Sequence, residues 1–204
     1  MKTVFVNAEK CIGCRHCEIA CAKEHSTHKD MLSILNDDPQ PQPRIKVGLG
    51  IDFLKFPNRC RHCDPAPCQQ VCPTGAIYKD ETLGSVIVNE ARCISCGMCA
   101  MVCPFNAIDF HRTPASEKAV SYKCDDCIER QKNGKEPACV EACKAGALVF
   151  GEVNDIIDGL KKDIVVEITK TIKGMEPSDV PANIRIFQDI KEKIAQLGPM
   201  PSSK

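Results

Sequence analysis

The run Cys93-Ile94-Ser95-Cys96-Gly97-Met98-Cys99-Ala100-Met101-Val102-Cys103-Pro104 spaces four cysteines by three, three and four residues and closes on a proline. Three other groups share its ending, with their last two cysteines four residues apart. They are Cys11, Cys14, Cys17 and Cys21; Cys60, Cys63, Cys68 and Cys72, followed by Pro73; and Cys124, Cys127, Cys139 and Cys143. Side chains at i and i+4 share one face of a helical turn, so each group ends with two thiols on one short helix. All 16 cysteines of the 204 residues fall into these groups. The 43% hydrophobic fraction includes them, and the chain has no Trp, seven Phe and two Tyr. So thin a supply of core-forming side chains calls for covalent or metal cross-links.

A disulfide framework belongs to an oxidising compartment and normally follows a secretory segment. The chain opens Met1-Lys2-Thr3-Val4-Phe5-Val6-Asn7 and reaches Cys11 without room for an apolar signal region. No apolar run approaches the roughly 20 residues needed to span a bilayer. A reducing, cytoplasmic setting is therefore expected, and reduced thiols there hold metal. Zinc sites draw on two separated C-x2-C pairs, whereas here three closely spaced cysteines precede a fourth. Three thiols at steps of three residues wrap three corners of one [4Fe-4S] cube. The third group has the full C-x2-C-x2-C-x3-C-P spacing of bacterial two-cluster ferredoxins, and the first lacks only the proline. Gly13 and Gly97 beside Cys14 and Cys96 ease the curvature.

Four cubes consume every thiol and leave no iron with an open corner, so the expected role is electron transfer without catalysis. A metal-stabilised structural or interaction module is the competing class. The 27 basic and 27 acidic residues balance before any cluster charge is counted, which removes the electrostatic basis for nucleic-acid binding. Gly48-Leu49-Gly50 lacks the third glycine and the setting of a dinucleotide site.

In two-cluster ferredoxins the fourth cysteine of each run serves the other cube. Ile77-Tyr78 and Val86-Ile87-Val88 flank the turn-rich Lys79 to Gly84, a hairpin joining the second group to the third, and Ile108-Asp109-Phe110 follows as a short strand. Pairing these groups gives one cube from Cys60, Cys63, Cys68 and Cys103 and another from Cys72, Cys93, Cys96 and Cys99. The first and fourth groups are flanked by Val4-Phe5-Val6 and Leu148-Val149-Phe150. Their cubes take Cys11, Cys14, Cys17 with Cys143, and Cys21 with Cys124, Cys127 and Cys139. Sequential pairing, first with second and third with fourth, is the alternative.

The order of the groups, the second with Asp64-Pro65-Ala66-Pro67 between its middle cysteines and the fourth with eleven residues between Cys127 and Cys139, resembles the four-cluster iron–sulfur subunits of the dimethyl sulfoxide reductase superfamily. Cys60-Arg61-His62-Cys63, Cys72-Pro73-Thr74-Gly75-Ala76-Ile77 and Cys139-Val140-Glu141-Ala142-Cys143-Lys144-Ala145-Gly146-Ala147-Leu148 carry the likeness, which extends over about residues 3–151. The resemblance implies the nested pairing, four [4Fe-4S] clusters, and work between a catalytic oxidoreductase subunit and a second redox protein. It is nearest the small subunits of carbon monoxide dehydrogenase or tungsten aldehyde oxidoreductase, with hydrogenase or formate dehydrogenase subunits as the alternative.

The expected fold is α+β. A polyferredoxin domain over 1–151 nests an inner ferredoxin-like unit, 57–111, within an outer one, 1–30 plus 120–151. A mostly helical, cysteine-free extension covers 152–204. Three alternating prolines from Pro39 to Pro43 predict an extended loop, then Arg44-Ile45-Lys46-Val47 alternates like a strand, together a spacer over the outer clusters or a docking surface. Arg130, Lys132 and Lys135 form a basic stretch open to an acidic partner or simply solvated. His16 and His62, between ligands, either tune potential or face solvent. In the extension, Asp163-Ile164-Val165-Val166-Glu167-Ile168 reads as helix or strand, and Phe187, Ile190, Ile194 and Leu197 as a second amphipathic helix. The extension packs on the cluster domain, binds a partner or mediates self-association.

Overall fold

The computed structural model describes residues 2–172. The chain divides into two compact units, Met1–Glu152 and Val153–Lys204. The first is a mixed α/β assembly of short helices and small antiparallel sheets. Each of its four sheets has two strands: β1 (Lys2–Val6) with β8 (Leu148–Glu152), β2 (Lys46–Leu49) with β3 (Lys55–Asn58), β4 (Ile77–Lys79) with β5 (Val86–Val88), and β6 (Asp109–Thr113) with β7 (Ser116–Tyr122). The first pairing joins the two ends of the unit, with Val4 opposite Phe150 and Val6 opposite Leu148. Ile77 faces Val88 across the β4–β5 hairpin.

Among the described residues five α-helices stand between the strands: α1 (His16–Glu24), α2 (Pro67–Gln70), α3 (Met98–Met101), α4 (Ile128–Lys132) and α5 (Ala138–Glu141). α1 packs against α5, and α2 packs against α3. Pro67 opens α2 where its missing N–H costs nothing.

Two apolar clusters follow from these packings, and cysteines are members of both. Val4, Ile45, Val47 and Leu148 pack with Cys17, Cys21 and Cys139. Ala66, Ile77, Val86 and Ile108 pack with Cys99. Strand alternation supplies the aliphatic part: Leu148 is buried while Val149 beside it is exposed.

Residues 37–45 carry no helix or strand. They are held by Tyr122, whose hydroxyl donates to the Gln42 carbonyl at 2.8 Å and whose ring lies 4.7 Å beneath the Arg44 guanidinium.

The described part of the second unit is one helix, α6 (Val153–Ile172). The β-branched run at 163–168 is therefore helical. Thr169 Oγ1 donates to the Val165 carbonyl at 2.7 Å, and Lys161–Asp158 and Lys170–Glu167 pair at i,i+3, contacts that helical spacing alone brings together. Phe187, Ile190, Ile194 and Leu197 lie outside the described residues.

Candidate metal centres

Each cysteine group begins with the same local bend. The residue just before the second cysteine has a positive φ in all four: Gly13 (72°), His62 (49°), Ser95 (58°) and Asp126 (61°). This left-handed residue turns the loop back on itself and points amides at the sulfur behind. His62 and Asp126 each donate their N–H, at 3.4 Å, to the thiol two residues earlier, Cys60 and Cys124.

The endings repeat as well. Cys72, Cys103 and Cys143 each follow a short helix, and their carbonyls accept from Gly75, Asn106 and Gly146, all with positive φ. An alanine and a branched aliphatic come next in every copy, and Ile77, Ile108 and Leu148 are all buried. The repeat thus places one thiol at each helix end and one core residue two steps beyond the turn.

None of the sixteen cysteines is in a disulfide. Cys72, Cys93, Cys96 and Cys99 line one cavity. Cys60, Cys63, Cys68 and Cys103 line another. Cys21 sits among Cys124, Cys139 and Cys127, and its burial, with smaller contributions from those thiols, raises its pKa well above the thiol range. Burial also pushes Cys17 up to about 11, with smaller contributions from Glu18 and then from Cys143 and Cys11. Cys14 is exposed, and its chain position alone places it with Cys11 and Cys17.

Backbone and side-chain donors surround the sulfurs. The Arg44 amide donates to Cys21 Sγ at 3.2 Å and the Ser121 amide to Cys93 Sγ at 3.4 Å. Ser121 Oγ lies 3.5 Å from Cys99 Sγ. Two buried cations also reach thiols: Arg59 Nη2 is 3.6 Å from Cys124 Sγ, and Lys123 Nζ is 3.7 Å from Cys60 Sγ. Thiol sets ringed by N–H donors and buried positive charge fit an anionic iron–sulfur group, because hydrogen bonds and burial around the sulfurs are how a protein holds such a cluster. Sequence reasoning missed both cations. Their signal is positional, since each immediately precedes the first cysteine of a group.

The two histidines differ. His16 is exposed. His62 is 8% exposed, and its Nδ1 accepts the Val86 amide at 2.9 Å, so it faces the interior and not solvent. Burial, and next the nearby Lys123, lower its pKa to about 3, which keeps the ring neutral. The basic stretch in the fourth group is largely spoken for: Arg130 pairs with Glu24 at 2.9 Å and with Glu141, and Lys132 with Glu129 at 3.4 Å.

Residues 51–153 match the 4Fe-4S dicluster domain family. The chain is 36% identical over 180 residues to an iron-sulfur protein of Rhodospirillum rubrum, an alignment covering 84% of this chain and 93% of that one. It is 35% identical over 164 residues to the electron transport protein HydN of Escherichia coli K12, covering 75% and 89%. Protein NrfC of the same strain is 40% identical over 149 residues, covering 71% and 62%. No helix among the described residues is long and apolar enough to cross a membrane. With the thiol sets, the repeated cysteine loops and these relatives together, the chain belongs to the 4Fe-4S dicluster family: it binds [4Fe-4S] clusters and carries electrons without catalysing a reaction of its own.

Proposed function

We propose that the sixteen cysteines hold four [4Fe-4S] clusters in two nested pairs and that the chain passes single electrons between a catalytic oxidoreductase subunit and a second redox protein. The observation that carries this reading is the packing of α1 on α5 and of α2 on α3. It brings the first group to the fourth and the second to the third, as two cavities of four thiols each also support for the inner pair. The outer clusters then take Cys11, Cys14, Cys17 with Cys143, and Cys21 with Cys124, Cys127 and Cys139. The pairing of β1 with β8 around the chain's inner portion supports the nesting.

When bound, each cluster supplies one-electron redox chemistry. The protein's part is to hold each thiolate set close to the next, to exclude water from the buried sulfurs and to direct amides at them. Cys14 and Cys96 are exposed, so the clusters of the first and third groups offer edges for exchange with partners.

The partner is a catalytic subunit that releases electrons singly. Carbon monoxide dehydrogenase or tungsten aldehyde oxidoreductase is the class the sequence resemblance favours, and a hydrogenase or formate dehydrogenase is the second reading. A cytoplasmic location accords with either. Anaerobic affinity capture from native cells, with iron analysis and mass spectrometry, tests the proposal. About 16 iron atoms per chain with a co-purifying oxidoreductase is the expected result. About eight iron atoms, or specific substrate turnover by the purified chain alone, would overturn it.

A further inference from the structure

Arg59 immediately precedes Cys60, yet its guanidinium reaches Cys124 Sγ at 3.6 Å. Lys123 immediately precedes Cys124, yet its ammonium reaches Cys60 Sγ at 3.7 Å. The two cations are thus exchanged between the second and fourth groups. Both are buried, Arg59 at 2% and Lys123 at 3% exposure. Cys60 and Cys124 are themselves close enough to interact electrostatically. This is the seam where the inner and outer thiol sets meet.

The two cations are not equivalent. Arg59 has a carboxylate partner in Asp126, at 2.5 Å, and also donates to the Val4 carbonyl at 3.2 Å. Lys123 donates to the Val86 carbonyl, to the Cys124 carbonyl at 3.0 Å and to Cys60 Sγ. Among the described residues no carboxylate forms an ion pair with it. A buried ammonium without a counter-charge is costly, and carbonyl dipoles alone do not supply one. The remaining source of negative charge is the thiolate set of Cys60.

We propose that Lys123 sets the potential of the cluster held by Cys60, Cys63, Cys68 and Cys103, making it the preferred resting place of an electron at the seam between inner and outer pairs. The inference rests on the four-cluster reading above. Reduction adds one electron, and so one negative charge, to that set without breaking a bond or needing a proton. The uncompensated ammonium stabilises the added charge directly, because Coulomb interaction strengthens in a buried, poorly screened site. Arg59 does less for the cluster of Cys124, because Asp126 cancels most of its charge. Lys123 is a positioning residue for charge; it carries no electron itself.

The test is an anaerobic potentiometric titration of the reconstituted full chain followed by electron paramagnetic resonance. C63S first identifies the signal belonging to the Cys60 set. In K123M that same signal is expected to shift to lower potential, seen as a severalfold fall in its reduced fraction at a fixed poise, with the other signals in place. K123R keeps the charge and should keep the potential. Full iron with an unmoved signal in K123M, or an equal shift in K123R, overturns the role of Lys123. Should K123M lose iron, D126N reads the same device from the other side: freeing the charge of Arg59 should raise the potential of the Cys124 cluster, and no rise overturns the proposal. Wild-type iron well below about 16 per chain would instead remove the four-cluster reading, so the two failures are distinguishable.

Discussion

The Glu18 carboxylate on α1 accepts the backbone N–H of Val47 on β2 at 2.5 Å. This bond ties the helix carrying Cys17 and Cys21 to the β2–β3 hairpin, whose Val47, with Ile45 just before it, fills the same apolar cluster as those two cysteines. A hydrogen bond to a charged acceptor contributes about 1.5–3 kcal/mol. Glu18→Ala should therefore lower the stability of the holoprotein by that order, while Glu18→Gln, which retains an acceptor, should lose less. Anaerobic denaturation of the three proteins checks the ranking, and equal midpoints would show that the hairpin is held by apolar packing alone.

Arg130 joins three helices. It extends from α4 to Glu24 at the end of α1 and to Glu141 on α5, and its Nε donates to the Glu136 carbonyl at 2.7 Å. Its side chain is 17% exposed, so it is held in place and not waving in solvent. Arg130→Ala should destabilise the region around the fourth cysteine group by about 1–3 kcal/mol, with faster loss of one cluster to a chelator. Lys132→Ala should change little, since its pair with Glu129 is exposed on both sides. If the two variants behave alike, the basic stretch acts through charge and not through this bracket.

The cysteine spacing made the helical turns legible, because ligand geometry dictates it, and the short aliphatic runs at Ile77-Tyr78, Val86-Ile87-Val88, Val4-Phe5-Val6 and Leu148-Val149-Phe150 made the β4–β5 hairpin and the terminal strands legible. The β6–β7 hairpin was less so. Ile108-Asp109-Phe110 announced a strand, but Ser116–Tyr122 buries chiefly its last residues, and Glu117, Lys118 and Ala119 are exposed. Half of such a strand looks like polar loop. Pro57 likewise hid β3, since a proline sits poorly in a ladder except at an edge. At 163–168 two signals competed, β-branched content against the apolar i+3 and i+4 series of Ile157, Leu160, Ile164 and Ile168, and the segment is helical. Buried Arg59 and Lys123 were overlooked because charged residues are expected at the surface, although each immediately precedes a cysteine group; inside, Arg59 meets Asp126 as well as Cys124 Sγ, and Lys123 meets Cys60 Sγ.

Three positive-φ positions in the cysteine loops, Gly13, Gly97 and Asn106, give a graded test. An ideal Cβ on Gly13 would come within 2.8 Å of Lys55 Cγ, whereas one on Gly97 would meet nothing within 4 Å, and both residues have φ near the left-handed region, +72° and +80°. Gly97→Ala should therefore cost about 1–2 kcal/mol for conformation alone. Gly13→Ala should cost more by whatever is needed to displace the Lys55 side chain. Asn106, with φ 46°, occupies the turn that Gly75 and Gly146 occupy in the other copies, so Asn106→Gly should be near neutral. Thermal denaturation of the holoproteins orders the three, and a costly Asn106→Gly would mean that its side chain has a role beyond the turn.

Removing iron should unfold the first unit, and the reason lies in what its core is made of. Cys17, Cys21 and Cys139 belong to one apolar cluster and Cys99 to the other, with Cys11, Cys143, Cys68, Cys72 and Cys103 packed against them. Burial, with smaller opposing and reinforcing neighbours, pushes Cys127 up to about 12 and Cys139 higher still. Such thiols bind protons in the metal-free fold near neutrality, so iron must displace protons to bind, and its affinity rises with pH. An iron chelator under anaerobic conditions should accordingly strip the protein faster at pH about 6 than at about 8. The stripped chain should lose amide dispersion across residues 2–152, since small aliphatics without Trp cannot close the space left between the thiol sets. A metal-free protein that kept native dispersion would show that the strands and helices hold the cysteine sets in place unaided, and that the clusters bind a fold already made.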